Sequence, residues 1–278
     1  MVSLSNHEDG LSDDTTALRT VFPVEIGPGF AYLNAMQWIG EGLIIGVRRH
    51  GESSVIAEVM VEGRGRHLGL VRGGRSFRQS ATLQAGNSVQ LTWRARLEEH
   101  LGTFTVELTD ARAAGLITDR TRLYAAQLLC DHLRLLPERD PHDRLLGMTI
   151  RLLDHTNALE LGAELARFEL ILLDELGFGL DLSSCAVTGV ETGLTHVSPK
   201  SGRAVSAAAA EPYLDKLFAL PAFLIDDAAH PLPGEIASAF ALTGHFLDRH
   251  VWMARQVDPP STRDALVEIL ARPAIIAT

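Results

Sequence analysis

The chain has 278 residues, 46% of them hydrophobic, with 25 Lys plus Arg against 35 Asp plus Glu and a formal net charge of -10. That apolar content supplies one large core or two modest ones, while no run approaches the roughly 18 apolar residues that span a bilayer. The polar, acidic start from Met1 to Leu18 lacks the basic-then-apolar order of an export signal, and two cysteines, Cys130 and Cys185, are too few for a disulfide framework, so a reducing cytoplasm is expected.

Met1 to Ala35 mixes Ser, Asp, Gly and Pro with scattered apolar residues and shows no sustained period. This stretch reads as an extension, poorly ordered at least to about Thr20, or as the product of a start codon assigned too far upstream. Patterned sequence begins at Met36.

From Trp38 to about Leu108 the pattern is strand-like. Gly42 to Val47, Ser53 to Val61, His67 to Val71, Ser88 to Trp93 with Arg94 to Leu97, and Thr103 to Leu108 are short β-rich runs separated by Gly-bearing turns. Five such strands in about seventy residues favour a closed barrel, because an open sheet would leave edges. The expectation is a five-stranded OB-fold barrel over residues 36–112.

Within it, Gly63 to Leu97 carries Arg64, Arg66, Arg72, Arg75, Arg78, Arg94 and Arg96 and no Asp or Glu. The chain has only Lys200 and Lys216 as lysines, so a general preference for Arg explains the choice of cation. It does not explain the loss of acids. Residues 36–112 hold ten Arg against eight Asp plus Glu, about +2, which leaves -12 for the remainder. Such an island matches a polyanion, since guanidinium forks bind successive phosphates. Arg64, Arg66, Arg72 and Arg75 are the leading backbone contacts; Arg78, Arg94 and Arg96 follow, because Glu98 or Glu99 could pair with them instead.

Phe77, Trp93 and Phe104 lie near these arginines and could stack unpaired bases. Aromatic residues in small barrels usually fill the interior, so core is the first reading for them, as for Trp38 and Tyr124. The glycine-rich run Gly63 to Arg75 lacks the Lys-Ser/Thr of a P-loop and opens no evident helix; its glycines suit tight strand curvature.

Beyond Ala111 the period turns helical. One stripe starts at Leu123, Ala126, Gln127 and Cys130 and runs to Leu136 before Pro137. A second uses Leu161, Leu165, Phe168, Leu172 and Leu176 and closes at Gly177 and Gly179. A third extends from Ile236 to Met253. Residues 113–278 thus form a helical domain containing a hairpin-like excursion at 181–206, and the fold class is α+β. His245 and His250 are five apart and so diverge on a helix, unlike a metal-binding pair. HExxH, GxSxG and Ser-x-x-Lys are absent, and no nucleophile has a visible base. The chain reads as a binding protein, not an enzyme, with no cofactor.

Glu41-Gly42-Leu43-Ile44-Ile45, Arg49-His50-Gly51-Glu52-Ser53-Ser54 and Gly69-Leu70-Val71-Arg72-Gly73-Gly74-Arg75 resemble the amino-terminal pattern of the bacterial RecO family of DNA repair proteins. Leu83-Gln84-Ala85-Gly86-Asn87 and Trp93-Arg94-Ala95-Arg96 continue it. Phe168-Glu169-Leu170, Leu176 to Leu182, Val197-Ser198-Pro199 and Ser201-Gly202 resemble the family's second domain. The resemblance implies an OB-fold followed by a helical domain, binding of single- and double-stranded DNA, and annealing of complementary strands. It also implies cooperation with RecR, with the single-stranded-DNA-binding protein SSB and indirectly with RecA, at the nucleoid. Many relatives hold zinc with four cysteines in the excursion; here those positions read Cys185, Thr188, Ser206 and Ala209, so no bound zinc is expected. A protein-interaction adaptor and an RNA-binding module stay open as alternatives, because both would use a similar basic barrel.

Overall fold

The computed structural model describes residues 36–271, so the expected extension at 1–35 lies outside the described residues. β1 (Met36–His50), β2 (Ser54–Val61), β3 (Gly65–Val71), β4 (Ser88–Ala95) and β5 (Thr103–Asp110) close into a barrel of order β1-β2-β3-β5-β4. This is the five-stranded OB-type barrel expected from the sequence. Closure rests on a short parallel contact in which Leu70 N–H donates to Gly102 O at 3.0 Å. A helix of six residues, α1 (Phe77–Thr82), joins β3 to β4.

Alternation accounts for the strands. In β4, Val89, Leu91, Trp93 and Ala95 are buried while Gln90 and Arg94 face solvent, the period of a half-buried strand. The interior is completed by Ile44, Val55, Ala57, Val59, Val61, Val71, Phe104 and Val106. Gly69 is what admits Phe104, since a β-carbon there would stand 2.5 Å from the ring.

β1 departs from simple alternation because both of its faces are covered. Ile44 points into the barrel, whereas Leu43 and Ile45, with Met60 of β2, belong to the core of the helical part. A continuous apolar run is the signature of such two-sided burial.

The helical part begins with α2 (Arg112–Leu116), α3 (Arg120–Leu133), α4 (Asp143–Leu153) and α5 (Ala158–Glu175). Asp119 caps α3 by accepting from Thr121 N–H and Arg122 N–H, and Asn157 caps α5 by accepting from Leu159 N–H and Glu160 N–H. A small sheet of β6 (Leu194–Val197), β7 (Ala204–Ser206) and β8 (Phe218–Ala219), with α6 (Ala207–Ala210) beside it, follows. The chain then returns through α7 (Pro233–Leu247), a π-helical turn at Asp248–Trp252, α8 (Met253–Arg255) and α9 (Ser261–Leu270). His245 and His250 serve packing here: His245 lies against Phe218, and His250 stacks on Phe178 at 4.9 Å.

Four helices meet at one buried carboxylate. Glu169 of α5 receives Arg263 Nε and Nη2 of α9 at 2.8 Å each, lies 3.0 Å from His132 Nε2 of α3, and accepts from the Thr243 hydroxyl of α7. Burial alone would raise its pKa, but the Arg263 guanidinium overrides that and holds the carboxyl down to about 2.

Candidate nucleic-acid interface

The arginine run, contiguous in sequence, is divided by the barrel between its two ends. Because β2 leads away from the turn at 51–53 and β3 leads back, residues 62–66 and residues 72–78 lie at opposite ends of the sheet. Strands of this length separate them by about 20–25 Å.

At one end Arg64 lies over the Trp38 ring, 4.7 Å from its centroid, and Trp38 stacks on Trp93 at 5.6 Å. Burial holds the neighbouring His67, whose ring meets Trp38 edge-on, below its ordinary pKa. Arg94 extends from β4 and donates from Nε to Gln37 Oε1 at 2.7 Å, and Arg96 follows it into the exposed loop before β5. Trp93 and Phe104 are 1% and 4% exposed and fill the core, as does most of Trp38. Tyr124 is likewise packed against the helical core.

Arg66 has a different task. It points onto the helical part, where it is ion-paired with Glu58 and donates from Nε to Leu136 O at 2.9 Å; Arg134 reaches the other oxygen of Glu58 at 3.0 Å. The segment after α3 crosses the same edge, with Arg139 N–H donating to Arg66 O and Asp143 accepting from Gly63 N–H. Gly65 must be glycine for this crossing: its φ is +73° and a β-carbon would overlap the Asp140 carbonyl. Arg66 therefore couples the two parts of the chain.

The other end carries Arg72, Arg75 and Arg78, all exposed, joined by Arg48 and Arg49 from the end of β1, which the sequence reading did not include. Arg75 is bolted to the 51–53 turn: its N–H donates to Ser53 O at 3.1 Å and its guanidinium to Glu52 O. Arg49 and Arg75, with Val47, Val55, Gly74, Ser80 and Leu83, line an open cleft of about 400 Å³. Register could have exposed Arg49, since it pairs with Val55, itself paired with Val71, in one row across three strands. Among the described residues neither Glu98 nor Glu99 forms an ion pair with Arg78, Arg94 or Arg96.

α1 is fixed to this end by Asn87, whose amide donates to Ala81 O and Thr82 O at 3.0 and 3.1 Å and whose Oδ1 accepts from Ala113 N–H at 2.9 Å. Asn87 is 2% exposed, so each of its polar atoms has to find such a partner.

Residues 36–112 match the family model described as recombination protein O N terminal, and residues 117–256 match recombination protein O C terminal. The chain belongs to the RecO family. Among similar proteins, the DNA repair protein RecO of Methylobacterium nodulans is 52% identical over 240 residues, covering 84% of this chain and 98% of that protein. Its counterpart in Rhizobium etli is 52% identical over 235 residues, covering 84% and 92%, and that of Brucella abortus 51% over 240 residues, covering 85% and 97%.

The zinc knuckle implied by resemblance to RecO proteins can be tested on this chain's residues. Cys185 and Ser206 do converge: Ser206 N–H donates to Cys185 Sγ at 3.3 Å, and Cys185 N–H donates to Val190 O at 2.8 Å within the turn. Hydrogen bonds from Ser206, then Thr188, draw the buried thiol down to about 6. The donor set is nevertheless one thiol, two hydroxyls and an alanine, whereas structural zinc takes four Cys or His ligands. Among the described residues no cluster of His, Cys, Asp or Glu could hold a metal ion. These residues do not fit zinc; they form a hydrogen-bonded knuckle. Among the described residues no helix is long and apolar enough to cross a membrane.

Proposed function

We propose that this chain acts in DNA repair as a recombination mediator that binds single- and double-stranded DNA through the arginines at the two ends of its barrel and anneals complementary strands. The observation that carries this reading is the exposure of Arg64, Arg72, Arg75, Arg78, Arg94 and Arg96 on a chain of net charge -10. Within this reading, Arg72 and Arg75 lead the phosphate contacts with Arg64, and Arg78, Arg94 and Arg96 support them. Arg66 is set aside because its guanidinium is already ion-paired.

Annealing needs no bond to be made or broken. Cations on a compact barrel neutralise the phosphates of two strands, raise their local concentration and so speed base pairing. RecR and SSB are the proposed partners, with RecA loaded on SSB-coated DNA as the outcome. The acidic helical part, which repels phosphates, is assigned to protein contacts.

The test is annealing of two complementary fluorescent oligonucleotides, bare and SSB-coated, by the full chain and by its Arg72→Ala/Arg75→Ala variant. Acceleration by the parent and its loss in the variant support the reading. The variant's binding should also show a salt dependence shallower by about one to two units of slope. No DNA binding at low salt would overturn the reading in favour of a protein adaptor.

A further inference from the structure

Phe77 opens α1 with 93% of its surface exposed, more than any other large apolar side chain among the described residues; Val187 follows at 71%. A scattered exposed apolar residue needs no explanation. Phe77 differs in its setting. Arg72, Arg75 and Arg78, all exposed, lie within five residues of it. Ser80, one helical turn along and so on the same face, lines the same cleft as Arg49 and Arg75. The adjoining turn anchors Arg75, whose guanidinium donates to the main-chain carbonyl of Glu52.

The helix that carries the ring is fastened at both ends. Ser76 Oγ accepts from Gln79 N–H at the start of α1, the Ser80 hydroxyl donates to Phe77 O at 3.0 Å, and Asn87 fastens the far end. An aromatic side chain mounted on a short, fastened helix loses little freedom when a flat partner lies on it.

We propose that Phe77 is a stacking platform for one unpaired base, with adjoining phosphates held by Arg49 and Arg75 across the cleft, so that this end of the barrel selects single-stranded over duplex DNA. The inference rests on the DNA-binding reading above and deepens it. A base inside a duplex already has both faces stacked on its neighbours and offers nothing to an isolated ring. An unpaired base has a free face, and stacking accepts any of the four bases. The arginines cannot make this distinction, because phosphates occur in both forms of DNA. A protein partner with an apolar end would ask for a receding pocket, and this ring protrudes.

The experiment measures binding of a fluorescein-labelled, mixed-sequence single strand, and of the same strand annealed to its complement, across a salt series. It compares the full chain with its Phe77→Ala, Phe77→Tyr and Arg49→Ala/Arg75→Ala variants, with thermal melts to confirm folding. Phe77→Ala should weaken single-strand binding roughly tenfold, the effect of one stacked base, with duplex affinity and salt slope unchanged. Phe77→Tyr should restore it. The arginine pair should weaken both substrates and flatten the slope. Parental single-strand affinity in Phe77→Ala, or an equal loss on both substrates, overturns the inference while leaving DNA binding intact. Absence of DNA binding by the parent protein overturns both.

Discussion

Arg66 and Arg72 are six residues apart in the same basic run, yet one is ion-paired against the helices and the other faces solvent. Arg66 projects from β3 onto the helical part, its side chain 16% exposed beside a Glu58 side chain that is 12% exposed. Removing it leaves a largely buried carboxylate with only Arg134 and frees the Leu136 carbonyl, a loss of about 1–3 kcal/mol. Arg66→Ala should therefore lower the melting temperature while the salt slope of DNA binding stays at the parental value. Denaturation and a salt titration on the same protein check both halves, and a flattened slope would return Arg66 to the phosphate contacts. No feature of the sequence separates the two arginines, because the partner Glu58 lies on the neighbouring strand and Leu136 seventy residues away. Phe77 is the complementary case. A Phe near glycines in a small barrel reads as core, and only its place at the first position of α1 turns it outward.

At the scale of elements, five strands were readable because each is a run of alternating or β-branched residues with a turn after it. α3, α5 and α7 were readable from their apolar stripes, the first stopped by Pro137 and the second closed by Gly177 and Gly179. α1 was not: six residues, Phe77 to Thr82, include no buried side chain, so no stripe exists to be read. α4 and α9 went unread for a related reason, since their stripes are brief and make sense only against helices distant in sequence. What ties α3, α5, α7 and α9 together is the group around Glu169, and it sets an acid limit on the fold. Its folded pKa, about 2, lies below the ordinary carboxylate value of 4.5. The contribution of this group is therefore fully present above about pH 4.5 and is lost as pH falls through that value toward 2. Melting temperature should decline across this window, and Glu169→Gln should lack that part of the decline. The variant should also be less stable at neutral pH by about 3–5 kcal/mol, because Arg263 is left buried without its counter-charge. Parallel melting curves against pH for the two proteins test this.

Across the whole molecule, the barrel and the helices share a core through Leu43, Ile45 and Met60. Met60 is completely buried at that junction, and Met60→Ala should cost about 2–5 kcal/mol by opening a cavity there. Because the cavity lies between the two parts, limited proteolysis of the variant should release a barrel fragment earlier than from the parent. Equal proteolysis rates would mean that the ion pairs and the crossing at Gly65 suffice to hold the parts together. The same junction sorts the arginines of the run: Arg66 is turned onto the helices, while Arg64, Arg72, Arg75, Arg78, Arg94 and Arg96 stay exposed at the two ends of the barrel.

Alternation, turn chemistry and charge counts are properties of neighbouring residues, so the barrel, the main helices and the basic island could be read without any coordinates. Which arginine faces a carboxylate, which aromatic faces water, and which glycine lies under a carbonyl depend on segments brought together from far along the chain. Those needed the folded chain, because an ion pair such as Arg66 with Glu58 or a close approach such as Gly65 to Asp140 exists only once the strands have paired and the helices have packed upon them.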